Sequence, residues 1–73
     1  MAVTTRRQTA TSHARQRAIR VYRGRGFQSA YFHGALAALN GRTENACPYR
    51  EDPGKTWRNT YRRAWLRGFN SVT

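Results

Sequence analysis

From Phe27 to Asn40 the chain runs FQSAYFHGALAALN. Phe27, Ala30, Tyr31, Gly34 and Ala38 recur there at three- and four-residue steps, and Phe32, Leu36 and Leu39 form a second apolar row. That period is helical. Asn40-Gly41 stops it, and Gly41 is placed to take the left-handed C′ conformation. A second helical segment starts at Asp52-Pro53-Gly54, with Asp52 as its expected N-cap and Pro53 in its first turn. On it Trp57, Tyr61, Ala64, Trp65 and Gly68 share one arc of the wheel, and Lys55, Arg58, Arg62, Arg63 and Arg67 fill the remaining circumference. Upstream, Ser12 suits an N-cap and HARQRAIRVYR a helix, which Gly24 and Gly26 interrupt.

Residues 1–11 hold Thr, Arg and Ala without apolar periodicity, which predicts a flexible basic arm. There is no alternating β pattern and no internal repeat. The expected fold is all-α: an αα-hairpin domain over residues 12–73, with a helix over about 12–40 broken near 24–26, a loop over 41–52 and a helix over about 53–69.

At 73 residues the chain makes one domain with a thin core, since a chain this short buries only about 60% of its unfolded surface. A single cysteine closes no intramolecular disulfide, and Cys47, His13 and His33 lie at no zinc-ligand spacing, so neither a metal nor another cofactor is expected. The N-terminus has charge without an apolar core of the signal-peptide kind, and no apolar run approaches the roughly 20 residues of a membrane span. The expectation is a cytoplasmic protein, neither exported nor integral to a membrane.

Charge changes the picture most. Fourteen Lys and Arg against three acids give a net +11, and thirteen of the fourteen cations are arginine. No acid precedes Glu44, so residues 1–43 carry +8 and the remainder +3. A magnitude of about 2–8 suffices to keep a small domain soluble. Arginine's planar fork grips phosphate in two places and stacks on bases, which points to a nucleic-acid partner. Anionic lipid would call for a strongly apolar face opposite the cations, and segment 14–25 offers only Ala14, Ala18, Ile19, Val21 and Tyr22.

The candidate RNA contacts are Arg6, Arg7, Arg15, Arg17, Arg20, Arg23 and Arg25 on the arm and first helix, with Arg42 and Lys55 near the loop and Arg58, Arg62, Arg63 and Arg67 on the second helix. Tyr49 is the expected base-stacker, while Trp57, Tyr61 and Trp65 are assigned to the core. In the loop segment ACPYR, Pro48 fixes its own φ and pushes Cys47 toward extended geometry, so the chain turns there. Cys47 is expected to act as a compact hydrophobe between the helices. No base is placed to activate it, and Glu51 and Asp52 beside a helix start serve capping and the helix dipole rather than acid–base chemistry. No catalysis and no small-molecule substrate are expected. Gly34, with Ala30 and Ala38, lets the second helix approach closely.

Gly34, Gly41-Arg42, Cys47-Pro48-Tyr49 and Trp57-x3-Tyr61-Arg62-x-Ala64 together resemble the ribosome modulation factor family of small basic bacterial proteins, over roughly residues 34 to 64. Tyr61 stands where the family usually has a second tryptophan and Ala38 where a glycine is common. A second register would place the family's Arg-Gly-aromatic-Gln on Arg25-Gly26-Phe27-Gln28. The resemblance implies two helices, binding to the small ribosomal subunit near the mRNA exit side, and translational down-regulation of the hibernation type. The alternative is a small inhibitor, of the kind a phage encodes, that docks on a nucleic-acid-handling protein with its cations facing acidic residues of the partner, or with Tyr31, Phe32 and Leu36 as anchors. A DNA-binding module ranks third, because two helices lack the third that buttresses a recognition helix.

Overall fold

A computed structural model describes residues 6–50 and 52–72, with side chains from Ala10 onward, Arg58 excepted. The described residues form three α-helices, α1 (Arg6–Val21), α2 (Arg25–Leu39) and α3 (Thr56–Val72), with a 3₁₀ turn over Glu44–Ala46 and no strand. The all-α expectation holds. The two-helix count does not, because the interruption expected at Gly24 and Gly26 separates two distinct helices. The chain leaves α1 after Val21, Gly24 takes extended backbone (φ −75°, ψ 134°) as the N-cap of α2, and Gly26 lies inside α2. Gln28 secures the break: its side-chain amide donates to the carbonyls of Tyr22 (2.7 Å) and Arg23 (3.3 Å), carbonyls that the ended helix leaves without intrahelical partners.

Residues 6–11 of the expected arm belong to α1, and residues 1–5 lie outside the described residues. Ala14 and Ala18, one turn apart, are the buried face of α1. Tyr22, just past its end, packs its ring edge-on to Tyr31 of α2 (centroids 6.1 Å), and the Arg15 guanidinium lies 5.0 Å from the centroid of Phe32. Residue 22 thus meets residue 31 while residue 15 meets residue 32 across a three-residue connection, so α1 folds back over α2. The tight hairpin of this fold is α1–α2.

The pairing of α2 with α3 departs from the expected hairpin. Gly26, at the start of α2, lies against Tyr61 in the second turn of α3, while further along Tyr31 meets Gly68 and Gly34 meets Trp65 and Phe69. Both contact sets advance in the same sense, so α2 and α3 run in the same general direction. The connection between them must therefore return along the pair. It does so antiparallel to α3, with Tyr49 beside Tyr61 and Asp52 beside Asn59. At its start α2 ends in a Schellman motif: Gly41 has φ +74°, its N–H donates to Ala38 O (3.0 Å), and Arg42 N–H donates to Ala37 O (2.9 Å).

α3 starts at Thr56, three residues later than Asp52-Pro53 predicted. Asp52 does not cap it. Its carboxylate instead accepts from Gly54 N–H (2.9 Å), and its carbonyl accepts from Lys55 N–H (3.1 Å), closing a turn over Pro53-Gly54. The Asn59 side chain ties that turn to α3, accepting from Asp52 N–H (3.0 Å) and donating to Asp52 O (3.2 Å).

The core is built from small residues. Ala30, Ala35 and Ala64 are fully buried, and only Tyr31, Trp65 and Phe69 add bulk among the buried apolar side chains. Such a core draws helix backbones together and yields a thin molecule, 52 × 26 × 15 Å. Its accessible surface is 5675 Å². A compact monomer of this mass would expose about 4,600 Å².

Candidate nucleic-acid interface

The inward face of α3 carries Ala64, Trp65, Gly68 and Phe69. Directly opposite on the wheel, Asn59, Arg62, Arg63, Leu66, Arg67 and Asn70 follow at three- and four-residue steps and line one open concavity of about 320 Å³. Arginine stems rising from a half-buried Leu66 floor, bracketed by two carboxamides, present forked donors to a polyanion. Neither Asn59 nor Asn70 was singled out in the sequence, although both fall on the arginine period.

Two contacts extend this face onto α1. The Arg67 guanidinium donates to the Tyr22 hydroxyl (3.4 Å), and the Arg17 guanidinium donates to the carbonyl of Ser71 in the last turn of α3 (3.2 Å). Residue 17 meets 71 while residue 22 meets 67, so α1 runs antiparallel to α3 along a seam bordered by arginine. On the outer side of that seam His13, Gln16, Arg17 and Arg20 line a second concavity. At the other flank of α3, Arg62 shares a depression with Arg50 and the loop residues Glu44, Asn45, Cys47 and Tyr49. The Tyr22 hydrogen bond holds the Arg67 guanidinium's pKa above its ordinary value.

The structure therefore gathers Arg62, Arg63 and Arg67 in one concavity, Arg17 and Arg20 in another across the α1–α3 seam, and Arg50 with Arg62 in a third. It does not gather the rest. Arg15 sits over Phe32 on the other side of α1, Arg23 and Arg25 flank the α1–α2 turn, and Arg42 borders a separate depression with His33, Leu36 and Trp65. Lys55 is exposed just before α3. The side chains of Arg6, Arg7 and Arg58 lie outside the described residues. Three carboxylates cannot neutralise fourteen cations, so most of this charge has no acidic counterpart in the chain.

No family model, curated protein or solved structure matches the chain in comparison with known proteins.

The aromatic residues fall differently from the sequence assignment. Tyr22, Phe27, Tyr61 and Tyr49 form a ladder with centroid separations of 5.8, 4.8 and 5.5 Å and interplanar angles of 25–35°. Tyr49, the expected base-stacker, thus spends one ring face on Tyr61 and is half-buried. Trp57, assigned to the core, is 53% exposed and stands edge-on to Tyr61 (80°). It lies in the first turn of α3, one turn before Tyr61 meets Gly26 at the start of α2, so too little of α2 lies alongside to cover an indole. The half-buried Cys47 joins the margin of the core, and its thiol donates to Tyr49 O (3.5 Å), while Pro48 is exposed. Tyr31, offered as an anchor for a protein partner, is 3% exposed and so not available on the surface, while Phe32, covered on one ring face by Arg15, and Leu36 are half-buried.

Among the described residues no helix is long and apolar enough to cross a membrane.

Proposed function

We propose that this chain is a non-catalytic, cytoplasmic ribosome-binding factor that lays the α1–α3 arginine face on RNA of the small subunit and thereby lowers translation. The observation that carries the reading is the placement of Arg17 and Arg20 of α1 across a seam from the Arg62, Arg63 and Arg67 stripe of α3, a seam closed by the Arg17–Ser71 and Arg67–Tyr22 hydrogen bonds. Phosphates are dense and geometrically fixed on folded RNA, and guanidinium groups spaced along two adjoining helices match such an array better than they match scattered protein carboxylates. The resemblance of the segment Gly34–Ala64 to ribosome modulation factor supplies the ribosome as the particular RNA, and the small-subunit mRNA exit region as the expected place.

Sedimentation through sucrose at moderate salt, followed by a salt titration with purified small subunits, tests it. The protein should travel with small-subunit fractions. Substituting both Arg62→Gln and Arg63→Gln should flatten the slope of log affinity against log salt by roughly 1.4–1.8, since each phosphate contact contributes about 0.7–0.9. Absence from every ribosomal fraction, or an unaltered slope in the double variant, overturns the proposal.

A further inference from the structure

Where α2 and α3 begin side by side, Gly26, Ser29, Tyr49, Trp57 and Tyr61 line an open depression of about 590 Å³. This volume is in the range of pockets that take small ligands, roughly 300–1,000 Å³. Its chemistry differs from that of the arginine face. The walls are three aromatic rings, and the floor is a glycine, where a Cβ would come within 2.6 Å of the Tyr61 hydroxyl, beside a serine hydroxyl. Trp57 stands at 80° to Tyr61, so its indole is a wall of the depression and not a further rung of the ladder, and it is 53% exposed. Three exposed cations flank the lining in sequence: Arg25 beside Gly26, Arg50 beside Tyr49, and Lys55 two residues before Trp57.

We infer that this depression takes one unpaired nucleobase, stacked on Trp57, with its adjoining phosphates held by the flanking cations. An aromatic wall beside cations and a hydroxyl matches the three parts of a nucleotide: a flat ring with polar edges, and a charged backbone to either side. A purely apolar peptide side chain would gain nothing from the three cations. The indole is stacked from its exposed side, the Ser29 hydroxyl meets a base edge, and Tyr49 stays on Tyr61. The inference rests on the RNA-binding reading and adds, at a separate place on the same domain, single-stranded, base-dependent recognition.

The test compares an oligoadenylate strand with an abasic strand of the same length and charge. Trp65 is buried and Trp57 is not, so quenching of the exposed tryptophan emission reports the slot. The oligoadenylate should quench and bind more tightly than the abasic strand. Trp57→Ala should weaken oligoadenylate binding about 5- to 140-fold, the range expected for the loss of one base–aromatic stack, and leave the salt slope and the helical circular dichroism unchanged. Trp57→Phe should recover most of the affinity. Equal binding of the two strands, or an unaltered affinity in Trp57→Ala, overturns the inference; the RNA-binding reading then survives if salt-dependent binding and the effect of Arg62→Gln/Arg63→Gln persist. Failure of the wild-type chain to bind either strand overturns the base slot as well, and the small-subunit titration decides separately whether the arginine reading falls with it.

Discussion

Replacing Gly34 with alanine places a methyl group where α2 and α3 touch backbone to backbone. A Cβ there would lie 2.8 Å from the carbonyl carbon of Trp65, closer still to its oxygen, and 3.0 Å from Phe69 N. These are main-chain atoms, so no rotamer change relieves the clash. The helices must part by roughly 1 Å, and forcing a packed core apart costs about 1–3 kcal/mol, here toward the upper limit because the obstruction is rigid. Alanine's better helix propensity offsets about 1 kcal/mol. A net loss of about 2 kcal/mol follows, against a total stability of roughly 4–11 kcal/mol for a chain of this length. In thermal unfolding followed by far-ultraviolet circular dichroism, the midpoint should fall by about 8–16 °C. Gly68→Ala, whose Cβ would lie 2.7 Å from the Tyr31 carbonyl carbon, should behave alike. The double variant should lose less than the two single losses combined, since one parting of the helices relieves both clashes. Gly54→Ala is the control, with only an ordinary 3.5 Å contact to the Asp52 carboxylate. A Gly34→Ala protein that melts at or above the wild-type temperature would refute the close α2–α3 approach.

Asn59→Ala removes both bonds to the Asp52 backbone and should cost about 1–2 kcal/mol in urea unfolding; a change indistinguishable from zero would mean the Asp-Pro-Gly turn holds itself. Cys47→Ser keeps a donor to the Tyr49 carbonyl but carries a hydroxyl into the core margin, so stability should fall by about 1 kcal/mol while affinity for the small subunit, measured by filter binding, stays put.

The parts of this fold visible in the sequence are those set by local chemistry. The 3.6-residue period around Ala30, Tyr31 and Gly34 marks α2 because burial of one helix face leaves that imprint on any chain. Asn40-Gly41 marks its end because only a residue at ease with positive φ closes a Schellman motif. What local chemistry did not specify was direction. A loop drawn over residues 41–52 suggests an antiparallel return, yet the chain uses sixteen residues, Asn40 to Lys55, to run back beside α3 and start it level with α2. The means are long-range: the Tyr49–Tyr61 stack and the Asn59 clasp on Asp52, neither of which has a sequence period. Trp57 was misassigned for the same reason. It shares the inward arc of α3, but burial also needs a neighbour at the same height, and the first turn of α3 has only the return loop and the first residues of α2. The arginine stripe was legible residue by residue; its union with α1 was not, because that depends on which side of α2 the first helix folds back.

The direction of α3 bears on how the chain could act. Had α2 and α3 been antiparallel, the aromatic corner would lie at the far end of the molecule from the start of α2, and Gly26 could not share a slot with Trp57. Running together, they bring Gly26, Ser29, Tyr49 and Trp57 to one end, while the outward stripe of α3 carries Arg62, Arg63 and Arg67 toward the other. From Trp57 to Arg67 is ten residues of helix, roughly 15 Å of rise. A single element therefore fixes both the aromatic slot and the cations, and its orientation is set by backbone contact at Gly34 and Gly68, not by flexible side chains. Arg17 and Arg67 are further constrained by Ser71 and Tyr22, each through one of the five donors of a guanidinium, which leaves donors for a phosphate at reduced ordering cost. A thin, alanine-packed domain with excess surface gains little from its core, but it holds charge and ring in fixed relation, and the proposed recognition of RNA depends on that relation.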